Sequence, residues 1–479
     1  MKSDRVLEIF KEITRVPRES GHEEQIIAYL QRFATSHSLQ CRTDKAGNVL
    51  IIKEAAPGKE DVPVLVLQSH SDMVCEKNSG VEHDFAKDPI KYVIEDGWMI
   101  AKDTTLGADC GIGMAAALAA VEDQAPTGRI ESLFTVSEET GLDGANALEP
   151  GFISGKILIN LDSEDEGELF VGCAGGIDTV ADFNWKTKKL SHGTSLLKIK
   201  IYNGLGGHSG DDINKGRCNA VQQLSRFLYS EIRYGFDLCS IDGGNKRNAI
   251  AREAEAVISV PDPAATSARF EAFGRTLQQE FAVSEPGLSF ESSAVSMEIQ
   301  EAIEDSVAEA LVKSMFAAPH GVLAMSMDIP DLVETSTNLA SVKMTGQGKI
   351  RVGTNQRSSV TSEYLAAAAK VEACFSLAGA RVTHDAEYPG WKPNMDSAVL
   401  EVCRESYRKL FATEPVVRAI HAGLECGLFL DKYPDLDMIS FGPTLRGVHA
   451  PGERLDLKSL DKFVELLDDV IKTYSGQTE

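Results

Sequence analysis

From the first residues onward, apolar positions recur every three to four places over 3–14 and 22–36, which predicts two amphipathic helices. Short, nearly continuous apolar runs follow at 62–68, 130–136 and 156–161, the pattern of strands buried on both faces. The stretch 110–122 is alanine-rich and predicted helical. Near the far end, 437–441 reads as another strand and 457–474 as a closing amphipathic helix. Helices alternating with buried strands predict an α/β arrangement, with a mixed, mostly parallel sheet between helices.

Between about 178 and 384 the rhythm changes. Longer strands at 195–202, 253–260, 339–343 and 349–354 interleave with helices at 217–230, 264–279, 306–315 and 362–377. Two successive β-α-β-β-α-β units fit that order. The expected organisation is a discontinuous catalytic domain, residues 1–177 and 387–479, interrupted by an inserted α+β lid domain, residues 178–386. One large irregular α/β domain is the alternative.

Composition narrows the function classes. A chain of 479 residues with a formal net charge of −24 repels nucleic acid and anionic membrane surfaces, so neither is an expected partner. The nine cysteines include no CxxC pair, which argues against a disulfide framework or a thiolate metal knot. No apolar run approaches the roughly 20 residues of a membrane helix, and the first residues carry charge in every turn. A cytoplasmic enzyme is the expectation.

The ionisable residues of interest stand at strand ends, where loops of an open α/β sheet converge. The run 62–68 leads into His70 and Asp72; two apart in an extended segment, they face one side, and a carboxylate there can fix the imidazole tautomer. Asp109, among small residues before the alanine-rich helix, is either an N-cap or a carboxylate open to two cations. The strand 130–136 ends at Glu138 and Glu139, adjacent like charges that a cleft tolerates only with a cation. Asp162 follows the strand 156–161, whereas Glu164, Asp165 and Glu166 are expected in a solvated loop. His449 lies on a Gly/Pro loop after 437–441. Imidazoles and carboxylates without thiolates suit Zn2+, Co2+ or Mn2+ in a catalytic site.

These segments, SHSDMV, LGADCGIG, SEETGLDG, NLDSED, GGHSG and GVHAPGE, together resemble those of the dinuclear-zinc metallopeptidases that include aminoacylases, carnosinases and bacterial carboxypeptidases. The resemblance spans essentially the whole chain. It implies two divalent metal ions, most readily Zn2+, with Asp109 bridging them. His70 and Asp162 would hold one ion, and Glu139 and His449 the other. Asp72 would orient His70, Glu138 would be the general base for a metal-activated water, and the Asp109-Cys110 peptide would be cis. The implied activity is hydrolysis of dipeptides, Xaa-His dipeptides among them. An N-acyl-amino-acid amidohydrolase of the same family is the alternative.

Five further residues are candidates for substrate binding. By resemblance, His208, in GGHSG, helps stabilise the tetrahedral oxyanion. Arg357 after a strand offers a guanidinium fork to the substrate's C-terminal carboxylate. Asn338 either shares the oxyanion or backbone recognition or is a turn residue. Gly423 offers backbone N–H to the carboxylate, and Glu425 pairs with the amino terminus. A homodimer stays open.

Overall fold

The computed structural model describes residues 1–191, 195–295, 299–346 and 348–476. The chain forms two compact units: Met1–Gly172 with Pro393–Ala419 and Leu424–Glu479, and Cys173–Lys392 with Ile420–Gly423. The division falls at 172/173 and 392/393, against the 177/178 and 386/387 read from the sequence. The return of 420–423 to the second unit had no sequence signal.

In the first unit, Leu65–His70 lies parallel between Ile130–Thr135 and Ile157–Asn160, and Asp437–Ser440 lies parallel on the far side of Ile157–Asn160. Antiparallel strands flank this core, giving an eight-stranded mixed sheet. The central strands are buried along nearly their whole length, as their continuous apolar runs require. The helix Ala108–Glu122 packs on Leu65–His70. Its alanines and glycines let it approach closely, and almost all of it is buried. The closing helix Leu457–Tyr474 is capped by Asp456, which accepts the Lys458 N–H, and buries Leu460, Phe463, Val464, Leu467, Val470 and Ile471 along one stripe. Four parallel strands thus end at one edge of the sheet. A small sheet containing Leu445–Arg446 and Arg454–Asp456 frames the loop that carries His449.

The second unit contains two β-α-β-β-α-β motifs, but they are nested rather than successive. The inner motif runs Leu196–Tyr202, helix Ala220–Glu231, Asp237–Gly244, Ala254–Ser259, helix Pro263–Glu280 and Ser289–Ala294. It is inserted after Gly175–Asn184, the first strand of the outer motif. That motif continues with helix Asp305–Ala317, Val333–Met344, Lys349–Ser358, helix Thr361–Leu377 and Arg381–Tyr388. Gly175–Asn184 pairs antiparallel with both Lys349–Ser358 and Arg381–Tyr388, strands far along the chain. The apolar pattern marked no strand at Gly175–Asn184, Asp237–Gly244, Ser289–Ala294 or Arg381–Tyr388, and periodicity does not reveal a strand's partner, so the nesting escaped the sequence reading. The two motifs join edge to edge where Gly243 and Gly244 pair with Val342 and Ser341.

Among the described residues no helix is long and apolar enough to cross a membrane, and no disulfide forms.

Candidate active site

The first unit gathers all seven residues placed at its strand ends. Asp109 is central: its Oδ1 lies 3.0 Å from His70 Nε2 and its Oδ2 3.0 Å from His449 Nε2. Behind each imidazole stands a further carboxylate, Asp162 with Oδ1 3.3 Å from His70 Nε2 and Glu139 with Oε2 2.9 Å from His449 Nε2. Ligand atoms of His70, Asp109 and Glu139 fall within 4.8 Å of one another. The Asp109-Cys110 peptide is cis, and Asp109 and Cys110 interrupt the helical backbone at the start of their helix.

Asp72 serves four neighbours at once. Its Oδ1 lies 3.3 Å from His70 Nδ1 and accepts the Glu138 N–H, while Oδ2 accepts from Glu139 N–H and Ser20 Oγ. One buried carboxylate therefore sets the imidazole and the two-glutamate turn together. Although burial opposes its charge, the hydrogen bonds hold Asp72 down at about 2. Ser137, just before Glu138, and His449 both sit at left-handed φ, 52° and 62°. Such backbone costs on the order of 1–3 kcal/mol per residue and persists where its surroundings impose it.

The electrostatics show a crowd of anions. Burial pushes the Glu138 carboxyl well above its ordinary value, and Asp162 and Glu425 add to the effect. Burial also raises Asp162, with Asp109 contributing. For His70, burial opposes the imidazolium, yet Asp162, Asp109 and Asp72 outweigh it and lift the ring well above its usual range. Hydrogen bonds that its ring donates to Asp109 and Glu139 raise His449 to about 11.

The donors fit divalent cations on two grounds. Among the described residues Asp162 Oδ1 is buried and has only its 3.3 Å approach to His70 Nε2, outside hydrogen-bond geometry, and the donor set is mainly imidazole and carboxylate. Cys110 Sγ lies within ligand distance of His70 and Asp162 and donates to the Leu161 carbonyl.

Two supporting residues escaped the sequence reading. Glu453 accepts the N–H groups of Leu106, Gly107 and Ala108, cradling the turn before Asp109. Arg18 is fully buried and donates to the carbonyls of Ser71, Asp72 and Gly107, tying together the two segments that carry His70 and Asp109. The pair HAPGE held the first signal, a carboxylate four residues past His449; Arg18 offered none. Glu164 lies exposed in the loop after Asp162, as expected, while Asp165 and Glu166 beside it are half-buried.

Glu425 is 1 % exposed, and its Oε2 accepts from Gln68 Nε2 at 2.6 Å and Thr135 Oγ1 at 2.9 Å. It closes a buried polar row, since Gln68 and Ser440 both stand in register with Asn160 on adjacent strands and hydrogen-bond to it. Among the described residues its Oε1 is buried without a hydrogen-bond partner.

The second unit brings together its own set. His208 Nδ1 lies 3.3 Å from the Gly210 and Asp211 N–H groups and 3.4 Å from Asp211 Oδ2. Arg357, 6 % exposed, donates through Nε to Asn355 Oδ1 at 3.0 Å and through Nη1 to Tyr388 Oη at 2.9 Å. Gly423 packs against the Tyr388 ring. Asn338 is not a turn residue. It lies within Val333–Met344, and its Nδ2 donates to the carbonyls of Arg247 and Ala249. That commits both amide hydrogens and leaves only Oδ1, an acceptor, which an oxyanion cannot use.

An α/β sheet with imidazoles and carboxylates at its strand ends defines a hydrolytic class, and residues 66–473 match the model of the Peptidase family M20/M25/M40: the chain belongs to that family. It is 38% identical over 470 residues to the cytosol non-specific dipeptidase of Escherichia coli (strain K12), covering 97% of this chain and 96% of that one. The fold matches the crystal structure of aminoacylhistidine dipeptidase from Vibrio alginolyticus with a TM-score of 0.90 at 36% identity, over 98% of this chain and 96% of the other. A tripeptidase from Staphylococcus aureus shares the fold at a TM-score of 0.58 and 18% identity, each chain covered in full.

Proposed function

We propose that this peptidase is a cytoplasmic, dinuclear metal-dependent dipeptidase of broad specificity that accepts Xaa-His dipeptides. The observation that carries the reading is Asp109, whose two oxygens each meet a different imidazole, each imidazole backed by its own further carboxylate. His70 and Asp162 would hold one ion and Glu139 and His449 the other, with Asp109 shared; the donor set suits Zn2+ first, then Co2+ or Mn2+. The identity to a relative named as a cytosolic dipeptidase supports both the activity and the compartment.

When bound, divalent cations supply Lewis acidity and lower the pKa of water toward about 7. The protein does the rest. Glu138 takes the proton of the attacking water and passes it to the departing amine; a carboxyl raised by burial is matched to that exchange. Asp72 keeps Glu138 and His70 in place. His208 is the ring donor for the tetrahedral oxyanion. Arg357, a buried cation whose described hydrogen-bond partners are all neutral, takes the C-terminal carboxylate.

Metal analysis coupled to a substrate panel tests the reading. The chain should carry close to two ions and hydrolyse Ala-His far faster than N-acetyl-His. Preference for the acylated compound would make it an amidohydrolase, and full activity after exhaustive chelation would end the proposal.

A further inference from the structure

Arg357 does not stand alone in its strand. In register across three neighbouring strands, Arg357 pairs with Gly176 and Gly176 pairs with Tyr388. Glycine at the middle of this row leaves the space over which the guanidinium reaches to Tyr388 Oη. A Cβ on Gly176 would lie 2.9 Å from that oxygen, and a Cβ on Gly423 would lie 3.0 Å from the Tyr388 ring. The phenol is thus seated in a slot that two glycines keep open.

Its hydrogen-bond inventory is incomplete. Tyr388 Oη accepts from Arg357 Nη1, and among the described residues its own proton has no acceptor. Arg357 Nη2 likewise makes no hydrogen bond there, and no carboxylate pairs with the guanidinium within 4.0 Å. Burial pushes the phenol above its ordinary value, so it remains a donor at neutral pH. A buried cation beside an idle O–H is a two-point receptor for an anion with two oxygens.

We propose that Tyr388 is a substrate-positioning residue, holding the Arg357 fork and donating its own O–H to the C-terminal carboxylate, so that the pair selects dipeptides with a free carboxylate over their C-terminal amides. This rests on the dipeptidase reading and on Arg357 as the carboxylate ligand. It also gives Gly423 a purpose: its missing side chain admits the tyrosine.

Steady-state kinetics of the metal-loaded enzyme on Ala-His and on its C-terminal amide test it, with melting curves as a check on folding. The wild-type enzyme should favour the acid. Tyr388→Phe should raise KM for Ala-His about tenfold or more, as expected for a lost hydrogen bond to a charged group, with kcat within about twofold and the amide nearly unaffected. Gly176→Ala, which pushes the hydroxyl aside while keeping the tyrosine, should shift the acid-to-amide ratio the same way. A Tyr388→Phe enzyme that keeps the wild-type ratio, or that loses equally on both substrates, overturns the role of Tyr388 and leaves Arg357 standing. A wild-type enzyme that does not distinguish acid from amide overturns the Arg357 reading instead.

Discussion

The two units carry opposite imbalances of charge. In the first, His70 and His449 face Asp72, Asp109, Glu138, Glu139 and Asp162, far more anions than cations in a buried space. In the second, among the described residues, the buried guanidinium of Arg357 hydrogen-bonds to neutral oxygens of Ser209, Asn355 and Tyr388, with Asp211 as an anionic neighbour. On the dipeptidase reading, carboxyl groups crowded around two imidazoles suit cations, and a buried guanidinium suits a carboxylate.

The largest effect should come from removing what balances the first site. Exhaustive chelation is expected to abolish dipeptide hydrolysis, with recovery on adding Zn2+, Co2+ or Mn2+. Next, Glu138→Gln should lower kcat by roughly 10²–10⁴ while the metal content, read by elemental analysis, stays near wild type; unaltered turnover would take Glu138 out of the chemistry. His70→Ala should show the reverse order of cause, losing metal first and activity in proportion. At the second site Arg357→Lys keeps the charge but not the fork, and should reduce kcat/KM on dipeptides by about 10–100-fold; an unchanged value would mean that the cation faces no substrate.

The smallest effect sharpens the place of Glu425. Burial raises its carboxyl from 4.5 to about 8, so the folded chain holds this proton more tightly than the unfolded one. Its contribution to stability is complete below about 4.5 and is lost as pH climbs through 8. Glu425→Gln, always neutral, should therefore gain on wild type in melting temperature between pH 5 and pH 8, by ~2 °C or less for a chain of this size. A gap that does not change with pH would mean that Glu425 stays ionised in its polar row.

The candidate ligands were legible because each follows its own apolar strand at a fixed short distance: His70 closes one strand, Asp162 follows another by two residues, and Glu138 and Glu139 follow a third. Such spacing is local and survives in the sequence. Glu425 looked like an open loop residue for the same local reason, the glycines beside it, and only its contact with Gln68 and Thr135 shows it enclosed. The turn alternative for Asn338 arose because the strand it belongs to begins at Val333, six residues before the 339 that its periodicity shows.

The amino-acid sequence by itself determined the elements, the sheet class and the set of charged side chains at strand ends, because helix and strand periods and the burial of apolar runs act over a few residues. Tertiary structure decided which distant segments meet: Glu453 under the Asp109 turn, Arg18 between two loops, one motif of the second unit nested inside the other, and Tyr388 laid over Gly176 beside Arg357. Those contacts join residues tens to hundreds of positions apart, and their energy exists only once the chain has closed the loops between them.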